Sequence, residues 1–321
     1  MNVVRTVLGD VAAGELGVTY AHEHLIIDSE TVRDHSPEIS LPSVDEAVAE
    51  VAMCAAAGAA TMVDAMPIGA GRNPQKLAEV SRRTGVNIVM ATGLHLAMYY
   101  AEQPSLMSPP DELAAWFIAD IEQGADVNDH RSQQVVRGDV KAGVIKIATE
   151  ATPSSDRDRK VVAAAATAHL ETGAPILTHC EGGLGGVEQI EAFVDLGVAP
   201  NHLVLSHTDK VLDTAYHLEL LAAGVNVEYD QALRQPENVE RGTAWLVAEM
   251  VQRGHGSQIM LGTDGARRAM WATLGGSPGL AWMLTGLVDQ LRAHSVPESA
   301  IDAMLVVNPA RCFAFAAGNA L

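Results

Sequence analysis

The spacing of apolar residues changes rhythm along this chain. Short runs rich in β-branched and aliphatic residues alternate with longer runs in which apolar residues return every three or four positions, the signatures of strand and amphipathic helix. Eight short runs read as strands: residues 18–24, 60–64, 87–92, 143–148, 175–179, 202–207, 225–229 and 259–264. The longer runs carry helix punctuation. Ser43, with Glu46 three residues on, forms a capping box that opens a helix running to Ala57 and stopped by Gly58. Residues 158–172 read as another helix, closed by Gly173 and Pro175, and 188–196, 213–223 and 243–253 follow the same scheme. Most of these segments end at a glycine, as a left-handed cap prefers.

Strands alternating with helices imply a parallel sheet, and eight such units close a barrel. The pattern therefore predicts a (β/α)8 TIM barrel, with an open doubly wound sheet as the alternative. Residues 1–17 read as a short N-terminal hairpin, a strand over 3–7 and a turn at Gly9-Asp10, placed to cap the barrel bottom. The 98–139 stretch has room for extra helices beside the mouth. The tail after Gly275, with Gly276, Pro278 and Gly279, reads as a loop leading to the last helices. A length of 321 residues suits one barrel, commonly about 250 residues or more, so residues 1–321 are expected to form a single domain.

Composition narrows the picture. Hydrophobic residues make up 48% of the chain but aromatics only 4%, so the core is aliphatic. The formal net charge of -19 repels phosphate backbones and argues against a nucleic-acid partner, while favouring solubility and cations. Cys54, Cys180 and Cys312 are too few and too odd in number for a disulfide framework. No basic segment followed by an apolar run marks a leader, and no apolar stretch reaches the roughly 18 residues of a membrane helix. The expectation is a reduced, cytoplasmic enzyme with no membrane association. There are only five lysines, so one inside an apolar strand stands out.

That residue is Lys146, in Gly-Val-Ile-Lys-Ile-Ala. Strand alternation puts Ile145 and Ile147 towards the helices and Val144, Lys146 and Ala148 inwards. A lone ammonium there is costly to desolvate, so its pKa falls and the neutral amine becomes accessible. It has two chemical outlets: a carbamate formed with carbon dioxide, an anion able to bridge two metals, or a Schiff base with a carbonyl substrate. A plain structural lysine reaching for a barrel end is the bland alternative.

The same alternation turns both imidazoles of His22-Glu23-His24 inwards and Glu23 outwards. His179, His207 and Asp264 each end a predicted strand, at the carboxyl rim where barrel active sites lie. Taken singly, each is as readily a buried, hydrogen-bonded residue. Four histidines, a lysine and an aspartate on five strand ends of one rim instead suit a pair of divalent ions, zinc being favoured and manganese, cobalt or iron chemically acceptable. His22, His24 and Asp264 would hold the more buried ion, His179 and His207 the second, and a carboxylated Lys146 would bridge them. A water shared by two cations ionises near neutral pH, with Asp264 placed to take its proton.

These segments resemble the phosphotriesterase family of the amidohydrolase superfamily. The likeness runs over nearly the whole chain. It rests on Thr-Tyr-Ala-His-Glu-His-Leu at 19–25, Gly-Val-Ile-Lys-Ile-Ala-Thr at 143–149, Thr-Gly-Ala-Pro-Ile-Leu-Thr-His at 172–179, Leu-Ser-His-Thr-Asp at 205–209 and Leu-Gly-Thr-Asp at 261–264. The resemblance implies a distorted TIM barrel, the same six ligands, a carboxylated Lys146 and hydrolysis of lactones or related esters. It also implies a homodimer acting on a small molecule. In the acyl-homoserine lactonase branch a tyrosine follows the third strand; here Tyr99 or Tyr100 is the counterpart, in a different register, with His95 nearby. Asp264-Gly-Ala-Arg267-Arg268-Ala-Met-Trp271 is similar to the branch acting on phosphorylated sugar lactones. Arg268, with Arg267 and Arg234, is therefore expected to hold an anion bidentately. Trp271 is a substrate contact or, more plainly, a packing residue. Cys180 reads as packing, and His35, His130, His255 and His294 as surface residues.

Three other readings compete with an anionic lactone as substrate. Organophosphate triester or N-acyl amide hydrolysis would use the same metals. A Schiff-base aldolase would use Lys146 and need no metal. A binding or scaffold protein would keep the fold without turnover.

Overall fold

The computed structural model describes residues 2–100, 108–132, 134–150, 152 and 155–316. β1 (Val3–Thr6) and β2 (Gly9–Ala12) form an antiparallel hairpin, with Thr6 opposite Gly9. Its turn is thus at Val7-Leu8, two residues ahead of the expected Gly9-Asp10. The other eight strands lie in chain order in one sheet: β3 (Thr19–Glu23), β4 (Thr61–Asp64), β5 (Asn87–Thr92), β6 (Val144–Thr149), β7 (Ile176–Cys180), β8 (Leu203–Ser206), β9 (Asn226–Tyr229) and β10 (Ile259–Leu261). Each neighbouring pair is parallel.

The two ends of the sheet meet. The main-chain N–H groups of Thr263 and Asp264 both donate to His22 O at 3.1 Å. Glu23, turned outwards as alternation requires, accepts the Thr263 N–H at 3.0 Å and the Thr263 hydroxyl at 2.6 and 2.7 Å. The barrel is closed, and the open-sheet alternative falls. The same bonds explain why β10 stops at Leu261, three residues short of its predicted end: residues 263 and 264 leave the β9 ladder and clasp β3.

The helices are α1 (Glu30–His35), α2 (Val44–Ala56), α3 (Pro74–Thr84), α4 (Pro110–Glu122), α5 (Asp156–Thr172), α6 (Gly186–Asp195), α7 (Thr214–Ala222), α8 (Thr243–Gln252), α9 (Gly286–Ala293), α10 (Glu298–Asp302) and α11 (Asn308–Cys312). Ser43 caps α2 by accepting the Glu46 N–H at 3.3 Å, but the Glu46 carboxylate reaches Arg268 instead of returning to the cap. Gly173 closes α5 in the left-handed conformation. Helix α3, which hydrophobic spacing passes over, is marked by an Asn73 cap, Pro74 in its first turn and Gly85 beyond it. Within the 98–139 stretch the structure places α4; residues 101–107 and 133 lie outside the described part. Among the described residues no helix is long and apolar enough to cross a membrane.

Alternation sorts the core into two. Ile145 and Ile147 join the large layer between barrel and helices. Val144 faces inwards with Val63, Val89, Leu177, Val204 and Met260, and Val4, Leu16 and Phe313 close this inner cluster from below. The hairpin does cap the barrel bottom, jointly with the C-terminal segment: Phe315 N–H donates to Val3 O at 3.0 Å. At the rim, Gly93 has φ +102°, and a Cβ there would stand 2.0 Å from Lys146 O, so glycine is what lets the loop after β5 close onto β6. His130, expected at the surface, is buried against Trp116, 4.7 Å between ring centroids. The loop that carries it is drawn inwards by Asp129, which meets Arg72 at 3.0 Å and accepts the Gly69 N–H at 2.8 Å.

Candidate active site

His22 comes from β3, Lys146 from β6 and His179 from β7; His24 directly follows β3, His207 follows β8 and Asp264 lies three residues past β10. All six line one cavity of about 460 Å³ at the carboxyl end of the barrel. The rings of His22 and His24 lie 5.3 Å apart, those of His22 and His207 4.7 Å, and those of His179 and His207 4.5 Å. His24 Nε2 stands 3.4 Å from Asp264 Oδ1. His207 and Asp264 adopt left-handed φ values of +66° and +44°, each turning the chain sharply so that a strand-end side chain faces the cavity.

Several imidazoles are held through one nitrogen. Asp230 accepts the His207 main-chain N–H at 3.1 Å and sits 2.9 Å from its Nδ1. Glu228 Oε2 is 3.0 Å from His22 Nδ1, and Glu181 Oε2 is 2.6 Å from His179 Nε2. A carboxylate that takes the proton-bearing nitrogen leaves the other with its lone pair. His22 Nε2 and His24 Nδ1 are buried with no hydrogen-bond partner among the described residues. The potential ligand atoms of His22, His24 and Asp264 lie within 4.8 Å of one another, as do those of His22, His207 and Asp230. Nitrogen and carboxylate donors this close, with unpartnered nitrogens among them, fit a divalent cation.

The electrostatics agree. Burial, reinforced by neighbouring cationic groups, pushes the His22 and His207 imidazoles well below their ordinary pKa, keeping them neutral as a ligand must be. Burial pushes the Lys146 amine down to about 8, opposed by Glu228, Asp230 and Asp264. For Asp264 burial favours the neutral acid, but His207, Arg234 and His24 outweigh it and hold the carboxyl well below its usual range. Arg234 donates to Asp264 Oδ2 at 2.6 Å.

The residues expected to touch a substrate divide. His95, Tyr99, Arg234 and Arg267 line the cavity, with His95 in an edge contact with Tyr99 at 4.3 Å and tilted against His179 at 5.2 Å between ring centroids. Tyr100 does not line it: its buried hydroxyl accepts the His95 N–H at 2.7 Å and donates to Ile68 O at 2.9 Å. Arg268 turns away to Ser40 O at 3.1 Å and Glu46 at 3.4 Å. Trp271 is wholly buried, its indole N–H donating to Gly265 O at 2.8 Å. The anion clamp centred on Arg268 is therefore corrected: a short helical turn at Arg268–Met270 swings Arg268 outwards and leaves Arg267 on the cavity.

Sequence reasoning passed over Lys210, Glu181 and Gln231, which also line the cavity, and Glu228 and Asp230 beneath it. A signal was present for the last two. On β9 and the residue after it, Asn226, Glu228 and Asp230 recur at every second position while Val227 and Tyr229 belong to the outer core, a polar inward face in a strand flanked by apolar ones.

The family model described as "Phosphotriesterase family" matches residues 2–313. A phospho-furanose lactonase of Mycoplasmopsis agalactiae is 30% identical over 326 residues, covering 97% of this chain and 91% of that protein. Among solved structures, an amidohydrolase from Mycoplasma synoviae superposes with a TM-score of 0.91 at 28% identity, covering 99% of this chain and 93% of the other. A lactonase from Listeria monocytogenes superposes with a TM-score of 0.88 at 26% identity, covering 98% and 100%.

Proposed function

The chain belongs to the phosphotriesterase family of hydrolases, and on that premise we propose that it opens a lactone ring bearing a phosphate or similar anionic group. The observation that carries the reading is that Lys210, Arg234 and Arg267 line the same cavity as the four histidines, Lys146 and Asp264. Both sets of groups share one pocket of about 460 Å³, large enough for a small sugar derivative. The activity named for the relative from M. agalactiae supports the same substrate class.

His22, His24 and Asp264 would hold one divalent cation, His179 and His207 a second, and a carboxylated Lys146 would bridge them. Such ions supply polarisation of a carbonyl oxygen and a water acidified towards neutral pH. The protein does the rest. Lys210 and Arg267 draw the anionic end of the substrate to the rim and fix which face of the ring meets the cavity floor. Asp264, kept ionised by its neighbours His207, Arg234 and His24, is ready to accept the proton that the attacking water gives up. His95 and Tyr99 wall the pocket beside His179 and exclude bulk solvent from the ring. Water adds to the lactone carbonyl, the ring C–O bond breaks, and the product is an open-chain hydroxy acid.

The test is hydrolysis of a panel by the metal-loaded enzyme. A phosphorylated five-membered sugar lactone is expected to exceed its dephosphorylated counterpart by at least about tenfold in kcat/KM, the worth of one charge-assisted contact. Preference for a neutral aryl phosphotriester or an acyl-homoserine lactone would overturn the anionic-lactone reading. Preference for an anionic N-acyl amide would keep the basic rim and replace the reacting bond.

A further inference from the structure

Glu228 is fully buried, and nothing in the proposed hydrolysis uses it. Its Oε2 lies 3.0 Å from His22 Nδ1 and accepts the Ser206 hydroxyl at 2.9 Å. Lys146 Nζ stands 3.5 Å from Ser206 Oγ. Glu228 Oε1 has no hydrogen-bond partner among the described residues. Burying a carboxyl group so poorly served is costly, so the position asks for a compensating role. Asp230 is no substitute, since its Oδ2 is 3.6 Å from His22 Nδ1, beyond hydrogen-bond length.

We propose that Glu228 is a positioning residue for the cation site, fixing His22 in the tautomer that leaves Nε2 bare and tying Lys146 to the same frame through Ser206. The inference rests on reading the rim as a two-cation centre. His22 Nε2, buried and unpartnered, is the atom that the tautomer frees. A carboxyl group behind an imidazole also sets the plane of the ring and raises the basicity of the far nitrogen. Asp230 stands in the same relation to His207, at 2.9 Å from Nδ1. Strand β9 and the residue after it thus contribute no side chain to the proposed ligand set, yet they set the orientation of a histidine on β3 and of another following β8.

The experiment loads wild type, Glu228→Gln and Glu228→Leu with Co2+ and with Zn2+. It measures affinity by competition with a chelator, records the visible spectrum of the cobalt forms, and compares the thermal unfolding of the metal-free proteins. Glu228→Gln keeps the volume, but its amide can donate to Nδ1 and so favours the wrong tautomer. Both variants are expected to lose about 10- to 100-fold in affinity, and the cobalt spectrum should change in shape. Wild-type affinity and an unchanged spectrum in Glu228→Gln would overturn the proposal, even if Glu228→Leu failed to fold. So would affinity losses accompanied by an unaltered spectrum and an equal loss of metal-free stability. A wild-type protein that bound fewer than two ions per chain would remove the two-cation reading instead.

Discussion

Arg234 places one terminal nitrogen against Asp264 twice over, 2.6 Å from carboxylate Oδ2 and 2.8 Å from the main-chain oxygen. One guanidinium thereby helps to hold the carboxyl ionised and pins the chain path of the residue proposed to accept the catalytic proton. Removing the cation from beside a carboxylate raises its pKa. Arg234→Met should therefore move the acid limb of the kcat/KM profile to higher pH, with activity lost first on the acid side. Arg234→Lys should move it less. An unmoved limb would show that Arg234 is not what holds the carboxyl down.

The adjacent arginines of the loop after β10 are expected to behave oppositely. Arg267→Ala should raise KM for a phosphorylated lactone about tenfold, the value of one charge-assisted hydrogen bond, and leave the unphosphorylated lactone nearly unchanged. Arg268→Ala should leave both substrates alone. Its pair with Glu46 is formed by groups 39% and 36% exposed, so the stability cost is below about 1 kcal/mol. Steady-state kinetics on the two substrates decide the matter, and the reverse pattern would return the anion to Arg268.

Lys146 carries a pH signature. Carbamate formation needs the free amine, and burial sets its pKa at about 8. Uptake of labelled bicarbonate by the metal-free protein, followed by carbon NMR, should grow as pH rises through 8 and vanish in Lys146→Met. The stability sign follows. The folded pKa lies below the unfolded value of about 10.4, so the unfolded chain binds more protons between the two. The penalty is complete below 8 and is relieved as pH rises through that window. Urea unfolding of metal-free wild type should gain stability over that range relative to Lys146→Met.

Glu50 brackets the loop that leads out of the site. Buried on α2, it accepts the N–H groups of Ala272 at 3.2 Å, Thr273 at 2.9 Å and Leu280 at 2.9 Å, and the Thr273 hydroxyl at 2.8 Å. Glu50→Ala strands these donors. Only the Leu280 bond is fully buried and water can reach the other donors, so at about 1–3 kcal/mol for a buried group left unpaired the loss should be about 1–3 kcal/mol in equilibrium unfolding. A loss under about 1 kcal/mol would mean that water replaces the carboxylate.

Much of this arrangement was legible beforehand because the rim residues sit on strands, where a period of two tells which side chain points in. His22, His24, Lys146 and His179 follow from that rule directly. Arg267 and Arg268 lie in a loop with no period, where a single short helical turn exchanges the two roles, and no spacing argument distinguishes them. Tyr99 and Tyr100 fail for the same reason: the turn at Ala97–Tyr100 sends one ring to the cavity and the other beneath the loop. Glu228 and Asp230 were different. Their alternation on β9 was readable, but a carboxylate that braces a histidine leaves no motif of its own. Glu50 and Glu23 brace main-chain groups more than two hundred residues away, a relationship set wholly by barrel closure.

The floor packed from Val4, Leu16 and Phe313, beneath Val63, Val89, Val144, Leu177, Val204 and Met260, makes the barrel a blind well. Traffic must therefore run both ways through the mouth, and in the proposed reaction the hydroxy acid leaving it would carry one more negative charge than the lactone that came in. Lys210 and Arg267, if they favour capture as proposed, would favour retention of the product still more. Added salt screens both over about 8–10 Å near physiological strength. Turnover on a phosphorylated lactone should accordingly rise with ionic strength while kcat/KM falls, and the spent acid should compete with fresh substrate for the doorway.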